Sequence, residues 1–100
     1  MKKNLTVEET FDLAVKSYQK KKFHTAEKLY KEVLKKHPDH ANTYVNLGMV
    51  LKKLEKHKEA IDCYEKAIKI NPNDPNPHYN LGNLYKNFDK YEEAINFYNK

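Results

Sequence analysis

Apolar residues along this chain recur at intervals of three and four rather than in blocks, which predicts short amphipathic helices and no strands. Thr6-Val7-Glu8-Glu9 reads as a capping box, so a first helix should begin at Val7 and run to about Lys20. A second should run from Phe23 to just before Pro38, because the residue preceding proline is pushed out of helical geometry. The next two are expected over Ala41 to Leu54 and His57 to Ile70. Asn71-Pro72-Asn73-Asp74-Pro75 is a compact breaker that contains an N-cap candidate. Two further helices should cover Asn76 to Phe88 and Tyr91 to Lys100, for about six antiparallel helices in three pairs, an all-α array. The first helix of each pair is called A and the second B.

The pairs repeat one another. Leu13, Leu47 and Leu81 stand 34 positions apart, followed by columns of Ala14, Gly48 and Gly82, of Phe23, His57 and Tyr91, of Ala26, Ala60 and Ala94, and of Tyr30, Tyr64 and Tyr98. Pro38 and Pro72 close the first two units. The small residues let neighbouring helices approach closely, and each helical glycine gives up about 1 kcal/mol relative to alanine for that approach. The tyrosines supply ring area to the core. This pattern resembles the tetratricopeptide repeat family over nearly the whole chain, most closely in Asn46-Leu47-Gly48, Glu59-Ala60-Ile61, Tyr64, Ala67 and Asn71-Pro72, and again in Asn80-Leu81-Gly82, Tyr85 and Glu92-Glu93-Ala94-Ile95. The resemblance implies a helix–turn–helix solenoid, a single domain with units at about 7–40, 41–74 and 75–100.

Two departures from the family pattern stand out. The aromatic position early in each A helix is Thr10, Tyr44 and His78, so the middle unit alone keeps its ring. The third unit also stops short of a full period, with no polar capping helix behind it. The expectation is that the chain is the leading part of a longer protein, or that its open C-terminal end docks on another copy.

On a wheel of about 100° per residue, the buried stripe of the A helices should contain Thr10, Leu13, Ala14 and Ser17, then Tyr44, Leu47, Gly48 and Leu51, then His78, Leu81, Gly82 and Tyr85. The opposite face carries Glu8, Asp12, Val15 and Gln19 in the first unit, Asn42, Asn46, Met49 and Lys53 in the second, and Asn76, Asn80, Asn83 and Asn87 in the third. Every asparagine within an A helix falls on that face, although asparagine is a mediocre helix former. An asparagine-rich proteome would scatter the residue around the wheel; the alternative is that an exposed face simply collects it. A side-chain amide donates and accepts together, so it can read a peptide backbone irrespective of sequence. With A helices about 10 Å apart and an extended peptide advancing about 3.3 Å per residue, Asp12, Asn46 and Asn80 would meet every third residue of a bound strand. Val45 and Met49 would add apolar contact. In the family the A helices line a concave groove, and a similar asparagine ladder holds peptide substrates in the superhelical repeats of O-linked N-acetylglucosamine transferases. The binding residues expected here are therefore Asp12, Asn42, Asn46, Met49, Lys53, Asn76, Asn80, Asn83 and Asn87, and the partner an extended peptide or protein.

Charge and composition narrow the choice. The net charge of +5 comes entirely from lysine, and the chain has no arginine, the side chain best suited to bidentate recognition of phosphate or carboxylate. Family members that grip the carboxylate tails of heat-shock chaperones use lysine, arginine and asparagine at positions matching Phe11, Val15, Asn46, Asn76 and Asn80; one of the five is kept and every cation is lost, which argues against such tails. Lys22, Lys56 and Lys90 recur at the repeat and mark a basic rim, but interleaved glutamates and a lack of stacking aromatics favour a solvated rim over nucleic-acid binding. His37-Pro38-Asp39-His40 is like a metal cluster only superficially, with no third ligand, and no cofactor is expected. Cys63 stands alone, matches Leu29 and Phe97 in the other units and reads as a small packing residue; a lone cysteine fits a reducing compartment. No apolar run approaches membrane length and no secretory leader follows the N-terminal lysines, so a cytoplasmic protein is expected.

Nothing pairs an acid with a base or a nucleophile with either. A non-catalytic scaffold is the favoured expectation. Resemblance of Thr-Val-Glu-Glu-Thr-Phe-Asp-Leu-Ala, Ala-Glu-Lys-Leu-Tyr and His-Pro-Asp-His-Ala to the leading repeats of some bacterial sulfo-, methyl- and glycosyltransferases implies an alternative, a substrate-recognition segment of a longer enzyme. Self-association through the C-terminal end is a third.

Overall fold

The computed structural model of the chain describes residues 4–98, with side chains described through Asn87. It contains α1 (Val7–Gln19), α2 (Phe23–Lys36), α3 (Ala41–Lys53), α4 (His57–Ile70) and α5 (Pro75–Tyr98), and no strand among the described residues.

Local chemistry sets the boundaries. Thr6 Oγ1 accepts from the Glu9 backbone N–H at 3.0 Å while Glu9 Oε1 accepts from the Thr6 N–H at 2.9 Å, the reciprocal capping box expected for α1. Asp74 Oδ1 accepts from the Asn76 N–H at 3.0 Å and starts α5, whose first residue Pro75 has no N–H to leave unpaired. The A-to-B reversals share one design. After α1 the Lys22 N–H donates to Ser17 O (2.8 Å) and the Lys21 N–H to Tyr18 O (2.9 Å); after α3 the Lys56 N–H donates to Leu51 O (2.8 Å) and the Glu55 N–H to Lys52 O (3.0 Å). Both are Schellman motifs, and in both the left-handed position, usually glycine, is an ordinary side chain: Lys21 and Glu55, each at φ 62°. An L-residue there gives up about 1–2 kcal/mol.

Five helices stand where about six are expected, because the third pair is a single helix: α5 runs unbroken through Asp89, the position matching Lys21 and Glu55. No glycine or proline interrupts residues 83–98, and continuing the helix avoids the left-handed residue. In the first two units packing offsets that cost: α2 lies between α1 and α3, and α4 lies between α3 and α5. The features read from Lys90, Tyr91, Ala94, Phe97 and Tyr98 as side chains lie outside the described residues.

The core runs along the stack through Ala14, Ala26, Tyr30, Leu47, Val50, Leu51, Ala60, Tyr64 and Leu84. Tyr30 and Tyr64 are fully enclosed, each worth on the order of 3 kcal/mol in removed apolar surface. Extents of 61 × 29 × 20 Å and a radius of gyration of 15.3 Å, against about 13 Å for a compact domain of this size, describe an elongated array. Position in the stack decides burial within a column. Leu47 is 3% exposed in the sandwiched α3, whereas Leu13 is 41% exposed on α1, which packs chiefly on α2. On α5, likewise, Gly82, His78 and Tyr85 are exposed rather than buried. Val50 and Leu84, absent from the expected stripe, are among the most enclosed residues, because α3 and α5 each pack on more than one neighbour.

Candidate functional site

On α3 and α5 the expected binding face has one exposure profile, repeated: Asn42 exposed, Asn46 and Met49 half-buried, Lys53 exposed; then Asn76 exposed, Asn80 and Asn83 half-buried, Asn87 exposed. The two helices also touch one another. On α1 Asp12 is exposed, and α2 packs between α1 and α3. The apolar members behave differently from expectation. Val45 is buried and belongs to the core, not a groove, since α3 is enclosed on both flanks; Val15 and Met49 pack partly against the core.

Asn46 is not an isolated amide. It lies near Tyr30, whose pKa burial raises and the Asn46 side chain pulls back. The spacing that creates this contact, Tyr30 to Asn46, recurs as Tyr64 to Asn80 and is visible in the sequence. Burial holds Tyr64 up at about 12.

The column of Thr10, Tyr44 and His78 also has a positional logic that ring counting misses. Tyr44 donates its hydroxyl to Pro38 O at 3.0 Å, and His78 Nε2 lies 2.9 Å from Pro72 O. Histidine thus replaces tyrosine at the same carbonyl, one unit on. Phe11 packs edge-on to Tyr30 and His40, at centroid distances of 5.7 and 5.5 Å. His40 caps α3, with Nδ1 2.7 Å from Thr43 Oγ1 and 3.3 Å from Thr43 N. No group of three His, Cys, Asp or Glu side chains suited to a metal is gathered among the described residues.

The rim lysines are not equivalent. Lys56 Nζ lies 3.2 Å from both oxygens of Glu27, whose Oε2 is also 2.8 Å from Lys31 Nζ, so a buried carboxylate ties α2 to the residue that precedes α4. Burial raises the Glu27 pKa, but the two lysine hydrogen bonds and charges outweigh it and leave the carboxyl below its usual value. The clue was a glutamate in a column otherwise filled by Ile61 and Ile95. Cys63 is half-buried and packs on the core, and burial pushes its thiol up to about 11, which leaves it protonated and unreactive at neutral pH.

This is an α-solenoid of helical hairpins, the architecture of a protein-interaction scaffold. Family models described as "Tetratricopeptide repeat" match residues 11–40, 29–62 and 76–100, and one described as "TPR repeat" matches residues 50–87. The chain belongs to the tetratricopeptide repeat family. Among solved structures it is similar to "Crystal structure of MamA" (TM-score 0.82, 22% identity, 94% of this chain and 55% of that one). It is also similar to "MamA D159K mutant 2" (0.77, 28%, 94% and 52%). A third likeness is to a chain of the "CopN-Scc3 complex" (0.80, 21%, 90% and 53%). The chain spans about half the length of each. Comparison with curated proteins returns no match. No helix among the described residues is long and apolar enough to cross a membrane.

Proposed function

We propose that the chain is a non-catalytic scaffold that holds an extended protein segment along the asparagine-bearing face of α1, α3 and α5. The observation that carries this reading is the paired set of half-buried amides, Asn46 on α3 and Asn80 and Asn83 on α5, repeated in register on two helices in contact. Half-burial matters because it limits the side chain's rotamers before a ligand arrives, so less entropy is lost on binding. Each amide can donate to one peptide carbonyl and accept from one peptide N–H. Helices about 10 Å apart then engage every third residue of a strand that rises about 3.3 Å per residue. Asn42, Asn76 and Asn87 extend the stripe, Met49 adds a polarizable surface, and Asp12 and Lys53 set opposite charges on it, favouring a ligand with charge of both signs. The MamA structures and the CopN–Scc3 complex support the interaction role at the level of fold.

The test is a peptide-library screen of the chain beside an Asn46→Ala/Asn80→Ala double variant. Two lost hydrogen bonds at about 1 kcal/mol each weaken binding roughly 10- to 100-fold. Peptide binding unchanged in the variant, with the fold intact by circular dichroism, would move the site off this face.

A further inference from the structure

Gly48 and Gly82 occupy the same repeat position but have opposite surroundings. A Cβ built on Gly48 would stand 2.6 Å from Cε1 of Tyr64, whereas one built on Gly82 would meet nothing within 4 Å. Gly82 is the centre of an open face. At about 100° per residue, Pro75, His78, Tyr79, Tyr85 and Lys86 all fall within about 60° of it around α5, and all six residues are exposed. Leu84 and Pro77, on the far side of the helix, are fully enclosed. Tyr79 is 71% exposed, although its repeat equivalents Phe11 and Val45 are packed inward.

We propose that a second copy of this chain covers this face, the two α5 helices pairing antiparallel across a two-fold axis at Gly82. The face is laid out symmetrically about the glycine. Tyr79 and Tyr85 stand three residues, about 4.5 Å, to either side of it, and His78 and Lys86 four residues, about 6 Å. A two-fold of this kind inverts the order along the axis and keeps each edge of the face on its own side. Lys86, on the Tyr79 edge, then comes within about 1.5 Å of the level of Tyr79 on the second copy, and His78 does the same with Tyr85 on the other edge. Each pair forms twice. Charge is complementary, because Lys86 is the one charged residue of 75–87 and it meets an electron-rich ring. The chain already makes that contact internally, where Lys66 Nζ lies 5.9 Å from the centroid of Tyr44. A parallel pair would instead bring Lys86 level with Lys86. With no Cβ on either Gly82, the backbones approach closely and the rings on both edges reach across. The helices overlap over residues 75–89, about 21 Å, and a single helix pair of that length buries less than the roughly 1,200 Å² at which stable interfaces begin. The dimer is therefore weak and forms with concentration. Asn80 and Asn83 lie about 160° and 100° from Gly82 around α5, so the pairing leaves the asparagine face open.

The experiment uses the full chain. Sedimentation equilibrium from micromolar to millimolar concentration should show reversible monomer and dimer, and amide NMR shifts that change with concentration should centre on residues 78–86. Gly82→Leu, which holds the backbones apart, should weaken the dimer at least tenfold while the dilute chain stays folded by circular dichroism. Lys86→Gln should weaken it severalfold, and Asn46→Ala/Asn80→Ala should leave it unchanged. Monomer at millimolar concentration, a dimer indifferent to Gly82→Leu, or shifts centred on Leu13 at the other end of the stack would each overturn the proposal. A lower melting temperature of dilute Gly82→Leu chain would show that the glycine is covered within one copy, and would overturn it equally.

Discussion

The ring of Tyr64 lies against the backbone of Gly48 so closely that a Cβ there would come within 2.6 Å of Cε1. Tyr64 is 1% exposed and has nowhere to swing, so Gly48→Ala forces over-packing that costs about 1–3 kcal/mol, more than the roughly 1 kcal/mol of helix propensity returned. Gly82→Ala collects the propensity without the clash, and should raise the stability of the chain by up to about 1 kcal/mol. Urea denaturation of the two variants checks this. Equal effects would contradict the packing difference between the units.

Glu27 makes stability depend on acid. Its pKa is lowered in the folded chain, so the folded state binds the proton more weakly than the unfolded one. The stabilisation is therefore fully present above the ordinary value of 4.5 and is lost as pH falls through the lower folded value. Glu27→Gln should shrink the loss of stability between neutral pH and pH 3. Lys56→Met should cost no more than about 1 kcal/mol, because the ammonium is well exposed and Lys31 remains. Chemical denaturation across that pH range reads both effects.

The left-handed residues are removable liabilities. Glu55→Gly relieves φ 62° at a side chain and should stabilise the chain by about 0.5–1 kcal/mol after the added freedom of the unfolded glycine is counted. Lys21→Gly should act alike, and the two should add, since they lie in separate turns. Thermal melts that fall would argue that the side chains there do more than tolerate the turn.

With its thiol pushed up to about 11 by burial, Cys63 presents only about one thiolate in a thousand at pH 8. A disulfide reagent should modify native chain far more slowly than chain in denaturant. Rapid native labelling would place Cys63 in a more open setting than the core contact described.

Helix spacing, caps and breakers were legible because they are local: Thr6 with Glu9, Asp74 before Pro75, and the proline-led ends of α2 and α4 depend on neighbours a few residues away. Burial was less legible, because it depends on which helices flank a given one. Leu13 and Leu47 share a column and a wheel position, yet one is open and the other enclosed. The continuous α5 escaped a reading by repeat for the same reason: the repeat records where a reversal belongs, and flanking packing decides whether it forms. Of the proposed binding face, the stripe is a matter of asparagine spacing, while the nearness of Asn46 to Tyr30 required the third dimension.

The Glu27–Lys56 bridge occurs at one junction of the stack and has no counterpart at the next, where Ile61 fills the glutamate's place. In a one-dimensional array, stability is a sum over junctions. The array is therefore a graded fastener with a stiff end and a yielding one: α5 is expected to part from α4 before α4 loosens from the α2–α3 pair, and on the proposed reading a bound segment would be released at Asn80 first.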